Sequence, residues 1–249
     1  MPKVIGIIPS RYHSSRFPGK PLALIGGVPL VVRVMRSARQ SRRLSDVLVA
    51  TDDIRIAEAV KEYGGSAILS ERQHATGSDR VAEAASRLDC EKVVNIQGDE
   101  PFITARVIDE VVEALDDSGV VMSSACSAME DLSQANDPNV VKVVLDRNCD
   151  ALYFSRSRIP HERSMEAPAP VYRHIGIYGF KREFLMKFAS LKRTPLELSE
   201  SLEQLRALEH GFKIRVIPVE FKFLGIDSAA DLAKAEEILS QRNSSHGKQ

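Results

Sequence analysis

The stretch KVIGIIPSRYHSSRFPGK, Lys3 to Lys20, decides the fold. Lys3 to Pro9 is a continuous apolar run, the pattern of a strand buried on both faces. A basic loop comes next, with Arg11, Arg16 and Lys20 close together and Gly19 where backbone could approach a ligand closely. A nucleoside triphosphate carries about four negative charges, and two forked guanidiniums with one ammonium, helped by a metal, can offset them. Taken by itself the loop also reads as a solvated turn with incidental charges. Its place directly after the first buried strand favours an anion site. It is not a GxxxxGK[ST] loop, because Lys20 is followed by Pro21.

Outward from that strand the pattern repeats. Pro29 suits the first helical position of PLVVRVMRSARQS. Asp46–Thr51 reads as a second buried strand and Asp53–Tyr63 as a helix closed by Gly64-Gly65. Ser66–Leu69 reads as a short strand, Ser78–Leu88 as a helix with Ser78 as N-cap, Lys92–Ile96 as a strand and Ala105–Asp116 as a helix. Strands alternating with helices predict an α/β fold with a doubly wound, mostly parallel sheet. Ligands of such sheets bind beyond the carboxyl ends of the strands, so Pro9–Lys20 and Gln97–Phe102 should share one side.

The second half differs. VVKVVLD, ALYFSR and VYRHIGIYGF are strand-like, which suggests antiparallel additions to the sheet or an arm that pairs with another subunit. Pro195–His210 has period 3.6 and is expected as one helix closed by Gly211. A strand is expected over Lys213–Phe223, and Ser228 should cap a last helix ending near Leu239. Without repeats or a low-complexity linker, the 249 residues are expected to form a single domain over 1–249.

Lys+Arg and Asp+Glu both number 34, so no global field gathers nucleic acid or anionic membrane, and any anion site must be local. No apolar run approaches a membrane span or a signal-peptide core. The three cysteines, Cys90, Cys126 and Cys149, form no CxxC pair, which fits a reducing, cytoplasmic setting. A second chemical signal is VNIQGDEP, Val94 to Pro101. Asp99 and Glu100 come directly off a buried strand, and a carboxylate there suits Mg²⁺, which takes one or two carboxylates plus phosphate oxygens. Read alone, it is also an ordinary acidic turn before a proline.

IPSRYHSSRFPGKPL, VATDD, TGSDR, VNIQGDEPFI, NVVKVVLD, ALYFSRSRIP, RHIGIYGF, LEQLRALEHG and GIDSAADL occur in that order. Over residues 3–239 this set closely resembles the CMP-Kdo synthetases, or 3-deoxy-manno-octulosonate cytidylyltransferases. IPSRYHSSR alone would also suit CMP-sialate synthetases; the full set is more specific. The resemblance implies a Rossmann-like nucleotidyltransferase fold of the glycosyltransferase-A type. It also implies transfer of CMP from CTP to 3-deoxy-manno-octulosonate (Kdo), releasing pyrophosphate and supplying lipopolysaccharide synthesis. Arg11, Arg16 and Lys20 would hold the triphosphate, Pro9 and Ser10 would also contact the nucleotide, and Lys20, Arg16, Asp99 and Asp227 would be catalytic. Asp99 and Asp227 would hold Mg²⁺. Ala75, Thr76 and Gly77 would select cytosine; here TGSDR replaces the commoner SGTER, with no functional change expected. Arg80, Gln97, Arg156, His174, Tyr178, Glu203 and Gln204 would recognise the substrate. His174 and Tyr178, four apart in a strand, should face one side, whereas Glu203 and Gln204, adjacent on a helix, should not both point inward. The resemblance further implies a homodimer, with the segment 140–180 contributing. Competing readings are a cytidylyltransferase for amino-Kdo or sialic acid, a glycosyltransferase of the same fold, and a nucleotide-binding regulator. The absence of a DxD motif counts against the second, and retention of Lys20, Asp99 and Asp227 against the third.

Overall fold

The computed structural model describes residues 3–13, 17–163, 169–221, 225–226 and 228–246. Arg16 and Asp227 lie outside them. The first half runs β1 (Val4–Ser10), β2 (Leu24–Ile25), β3 (Val28–Pro29), α1 (Leu30–Ala38), β4 (Asp46–Thr51), α2 (Ile54–Glu62), β5 (Ser66–Leu69), α3 (Gly77–Ser86), β6 (Lys92–Asn95) and α4 (Ala105–Ala114). The second half runs β7 (Met122–Ala128), β8 (Lys142–Leu145), β9 (Ala151–Ser155), β10 (Tyr172–Lys181), α5 (Arg182–Ser190), α6 (Pro195–Glu200), α7 (Leu205–Glu209), β11 (Arg215–Pro218) and α8 (Ala229–His246).

One mixed sheet has the order β11-β7-β10-β6-β1-β4-β5, with β8 pairing β10 and β9 pairing β8. The strands β5, β4, β1 and β6 are parallel, and β10 enters antiparallel between β6 and β7. The apolar run of β1 serves both faces. Val4 and Ile8 join the layer containing α1, α2 and α4, while Ile5 and Ile7 join the layer containing α3 and α5. All four are nearly inaccessible, which is why the run does not alternate with polar residues.

Several boundaries differ from the sequence expectation, each for a local reason. Pro29 pairs with Leu24 in the β2–β3 hairpin, so α1 starts at Leu30. Thr76, not Ser78, caps α3. The Thr76 hydroxyl accepts from the Asp79 amide and the Asp79 carboxylate accepts from the Thr76 amide, both at 3.2 Å, a reciprocal box that leaves the Ser78 side chain for other work. The run 195–210 is not one helix. Ser201 adopts a left-handed conformation (φ 52°), and α6 and α7 flank a turn that carries Leu202, Glu203 and Gln204. The last helix continues past Leu239 to His246. The strand expected over 213–223 is confined to Arg215–Pro218; Lys222 and Phe223 lie outside the described residues.

Candidate active site

Because β1 and β6 are adjacent and parallel, their following loops emerge at one edge of the sheet. Pro9, Ser10 and Arg11 come from the first; Gln97, Gly98 and Asp99 come from the second. With Lys20 and the segment from His74 to Gly77 they line a cavity of about 260 Å³. The two loops cross in contact. A Cβ on Gly98 would stand 2.9 Å from Ser10 Oγ and 3.1 Å from the Pro9 carbonyl, so only glycine leaves both loops where they are. Gly19 is left-handed (φ 72°) and its amide donates to the Tyr12 carbonyl at 3.0 Å. That closes the neck of the basic loop just before Lys20. The Lys20 ammonium then reaches across to Asp99 Oδ2 (2.8 Å) and the Ile226 carbonyl (2.9 Å). The Ile226 amide in turn donates to the Asp99 carbonyl at 2.9 Å, so the chain immediately before Asp227 is tied to Asp99.

Arg80 lines the same cavity, but its fork is bonded to Asp52 Oδ2 (2.8 Å) and Ser70 Oγ (3.2 Å) and is only 5% exposed. Asp99 is a half-exposed carboxylate at the cavity mouth, already beside one point cation. No group of three His, Cys, Asp or Glu side chains poised around a metal occurs among the described residues. A carboxylate beside the cationic Arg11 and Lys20 is nonetheless a donor set that suits Mg²⁺ when phosphate oxygens complete its shell. The residues present therefore fit a magnesium ion that arrives with a nucleotide.

A second cavity of about 680 Å³ continues from the first, sharing Arg11, Ala75, Thr76, Gly77 and Gln97 as common wall. His174, Tyr178, Glu203 and Gln204 line it. The pairing of β10 with β7 jumps between Ile175 and Tyr178, leaving Gly176 and Ile177 as two extra residues. An even insertion preserves the alternation of faces, so His174 and Tyr178 do share a side, with ring centroids 5.5 Å apart. Glu203 and Gln204 both turn inward, against the helical expectation, because they sit in the turn between α6 and α7. The Tyr178 hydroxyl donates to Gln204 Oε1 at 3.0 Å, which aims the amide of Gln204, and Gln204 Nε2 is buried with no hydrogen-bond partner among the described residues. Arg156 lines neither cavity. Its guanidinium donates to the carbonyls of Glu200 (2.7 Å), Pro138 (2.9 Å) and Ser201 (3.4 Å), bracing the turn behind the site.

Burial sets the protonation of this cavity. It pushes the His174 imidazole down to about 3, so the ring is neutral. Ser124 Oγ lies 2.8 Å from both His174 Nε2 and the Ile177 carbonyl, which fixes the orientation of the ring. Burial also holds the Tyr178 phenol well above its usual range, so it remains a donor. Glu100, 6% exposed, is pushed up to about 8 by burial and by the neighbouring Asp99 charge. The two adjacent carboxyls thus part company, Asp99 to Lys20 and Glu100 into the second cavity. Reading the sequence did not find Ser78, Asn95 or Arg173. Ser78 bridges into the site, and Asn95 backs Ser78 from β6. Arg173 lines the second cavity. Only the position of Ser78 beside the TG pair hinted at such a role.

A sheet of this topology, with a basic loop after its first strand and a double cavity across the strand ends, defines a nucleotidyltransferase of the Rossmann-like kind. The family model described as cytidylyltransferase matches residues 5–214. The 3-deoxy-manno-octulosonate cytidylyltransferase of Geobacter metallireducens is 46% identical over 250 residues, covering 96% of this chain and 98% of the relative. That of Syntrophobacter fumaroxidans is 47% identical over 244 residues, with 96% and 98% covered. A solved CMP:2-keto-3-deoxy-manno-octonic acid synthetase in complex with CTP superposes with a TM-score of 0.92 at 38% identity, covering 96% of this chain and 99% of that one. A 4-diphosphocytidyl-2C-methyl-D-erythritol synthase from Anaerococcus prevotii, at 16% identity and TM-score 0.62, shares the fold. The chain belongs to the 3-deoxy-manno-octulosonate cytidylyltransferase family.

Proposed function

We propose that the protein transfers the cytidylyl group of CTP to the anomeric hydroxyl of Kdo, releasing pyrophosphate. The observation that carries this reading is the continuity of the two cavities. A phosphate-binding end built on Arg11, Lys20 and Asp99 opens, past the Ala75–Gly77 wall, into a chamber lined by hydrogen-bonding side chains, among them the cation Arg173 and the neutral or hydroxyl-bearing His174, Tyr178 and Gln204. A nucleotide in the first places its α-phosphate toward a polyhydroxy acid in the second.

In this reading the P–O bond to the sugar forms as the P–O bond to pyrophosphate breaks, in line, and catalysis is mainly positioning and charge compensation. Lys20, Arg11 and Arg16 bind the triphosphate and stabilise charge on the departing pyrophosphate. Pro9, Ser10 and the backbone of Ala75–Gly77 seat the nucleoside. Gln97, His174, Tyr178, Glu203 and Gln204 orient the sugar acid. Asp99 and Asp227 would hold Mg²⁺. When bound, that ion neutralises phosphate charge and favours loss of the hydroxyl proton. Arg80 acts through Asp52 and Ser70 to hold the nucleotide wall, and Arg156 braces the Glu200–Gln204 turn.

We further propose that the chain works as one domain, as a homodimer joined through the segment 140–180, in the cytoplasm, supplying lipopolysaccharide synthesis. No helix among the described residues is long and apolar enough to cross a membrane. The test is pyrophosphate release from CTP, UTP and ATP with Kdo, amino-Kdo and sialic acid, together with mass in solution. Release with CTP and Kdo alone is expected; equal turnover of sialic acid would refute the assignment of the sugar.

A further inference from the structure

Ser78 is a hydroxyl that touches both halves of the cleft machinery. It is the second residue of α3, directly after the Ala75–Gly77 wall shared by the two cavities, and it is fully buried. Its oxygen accepts from Asn95 Nδ2 at 3.1 Å and donates to Glu203 Oε1 at 2.6 Å. A serine has a single proton, so with the Asn95 amide donating, that proton is committed to Glu203. Asn95 cannot yield. It lies on β6, in register with Ile7 of β1 on one side and Tyr178 of β10 on the other, at the centre of the sheet, with no exposed surface.

Glu203 gains little from its own surroundings. It sits on the turn that follows left-handed Ser201, not inside a helix. Burial raises its pKa, and the Ser78 and Thr76 side chains with the Ser78 backbone oppose that rise. The carboxyl is therefore held against the first turn of α3 by α3 itself. Sheet, nucleotide wall and sugar-side turn meet at one oxygen atom.

We propose that Ser78 is a positioning residue for the sugar acid: from the nucleotide side of the cleft, it fixes the pose of the Glu203 carboxyl in the second cavity. This rests on the reading above that Glu203 contacts the sugar acid. Ser78 itself is walled off from substrate, so its effect passes through Glu203.

The test is steady-state kinetics of the full-length enzyme with CTP and Kdo each varied, on Ser78→Ala, Ser78→Thr, Glu203→Gln and Ser78→Ala/Glu203→Gln. Loss of a hydrogen bond to a carboxyl is expected to raise the KM for Kdo on the order of tenfold in Ser78→Ala, with the KM for CTP changed less than about twofold. Ser78→Thr, which keeps the oxygen, should restore the Kdo KM. The double variant should match Glu203→Gln alone, because Ser78 has nothing left to position. A Ser78→Ala enzyme with unchanged Kdo KM, or with both KM values raised alike, overturns the proposal while Glu203→Gln still reports a sugar contact. If Glu203→Gln leaves the Kdo KM unchanged, the contact itself is wrong and the proposal falls with it. Ser78→Thr resembling Ser78→Ala would assign the effect to packing and equally defeat it.

Discussion

Lys20 Nζ lies 2.8 Å from Asp99 Oδ2, joining a loop after the first strand to a loop after the sixth across 79 residues of sequence. The pair is partly solvated, with side chains 17% and 34% exposed. A pair so placed contributes about 0–1 kcal/mol to stability, so its value lies in what it holds ready. Lys20→Ala and Asp99→Ala should each lower kcat by about 10²–10³, with thermal midpoints within a few degrees of wild type. Pyrophosphate release and thermal unfolding check both halves. A variant that kept near-normal turnover in magnesium would remove that residue from the catalytic set.

Gly98→Ala should impair nucleotide binding without touching a charged group. The added methyl would stand 2.9 Å from Ser10 Oγ and 3.1 Å from the Pro9 carbonyl. The hydroxyl can rotate away, but the carbonyl belongs to β1 and cannot. Separation of the two loops should raise the KM for CTP several-fold and cost about 1–3 kcal/mol of stability. Nucleotide titration and denaturant unfolding would show it; wild-type affinity for CTP would mean the loops are not in obligatory contact.

The loops were legible because a buried strand followed by a loop is written as an apolar run followed by polar residues, and β1 and β6 both carry that signature. The strand β7 was not. Its sequence, MSSACSA, has no branched or aromatic side chain and no alternation. It is a strand because its small side chains let neighbours close in. Ser123 Oγ donates to the Val111 carbonyl at 2.7 Å, and a Cβ on Gly179 of β10 would lie 2.4 Å from that same oxygen. The break at Ser201 was hidden for a different reason. Neither glycine nor proline interrupts SESLEQ, and the period of 3.6 runs on through it. Tertiary bonds decide there: the Glu200 carboxylate accepts from the Arg156 amide (2.8 Å) and from Ser155 Oγ (2.6 Å), while Gln204 accepts from Tyr178. Those partners lie about 25 to 50 residues away, beyond any local pattern.

Arg206→Met should be among the most destabilising single changes. Arg206 and Glu197 are almost wholly buried and bonded twice, Nε to Oε2 at 2.8 Å and Nη2 to Oε1 at 2.7 Å. Removing one partner of such a pair costs about 3–5 kcal/mol, which at this chain length lowers the thermal midpoint by about 10 °C. Burial would raise Glu197, but hydrogen bonds from Arg206 and Arg193 outweigh it and hold the carboxyl below its usual range. A carboxyl lowered on folding stabilises above its unfolded value of about 4.3 and loses that contribution as pH falls through the folded value. Without Arg206, burial raises that carboxyl in the variant, while the two unfolded chains titrate alike; the gap between wild type and Arg206→Met should therefore narrow as pH falls from the variant's raised value towards the lowered value of wild type. Arg206→Met/Glu197→Leu should recover part of the loss, since no buried charge is then left alone.

His174 gives the clearest dependence on pH. Burial places its folded pKa at about 3, against about 6.5 when unfolded. The unfolded chain therefore binds the extra proton first, and acid favours unfolding. The penalty is absent above about pH 6.5 and grows by about 1.4 kcal/mol per pH unit down to about pH 3. His174→Gln keeps a hydrogen-bonding amide beside Ser124 Oγ but cannot titrate. Denaturant unfolding at pH 7 and pH 5 should show wild type losing about 2 kcal/mol more than His174→Gln over that interval. Because the ring stays neutral in the folded enzyme, kcat/KM for Kdo should show no inflection near pH 6.5 that His174→Gln abolishes. Equal pH slopes for the two proteins would mean that His174 takes up its proton in the folded state, and that the second cavity is wetter than its burial implies.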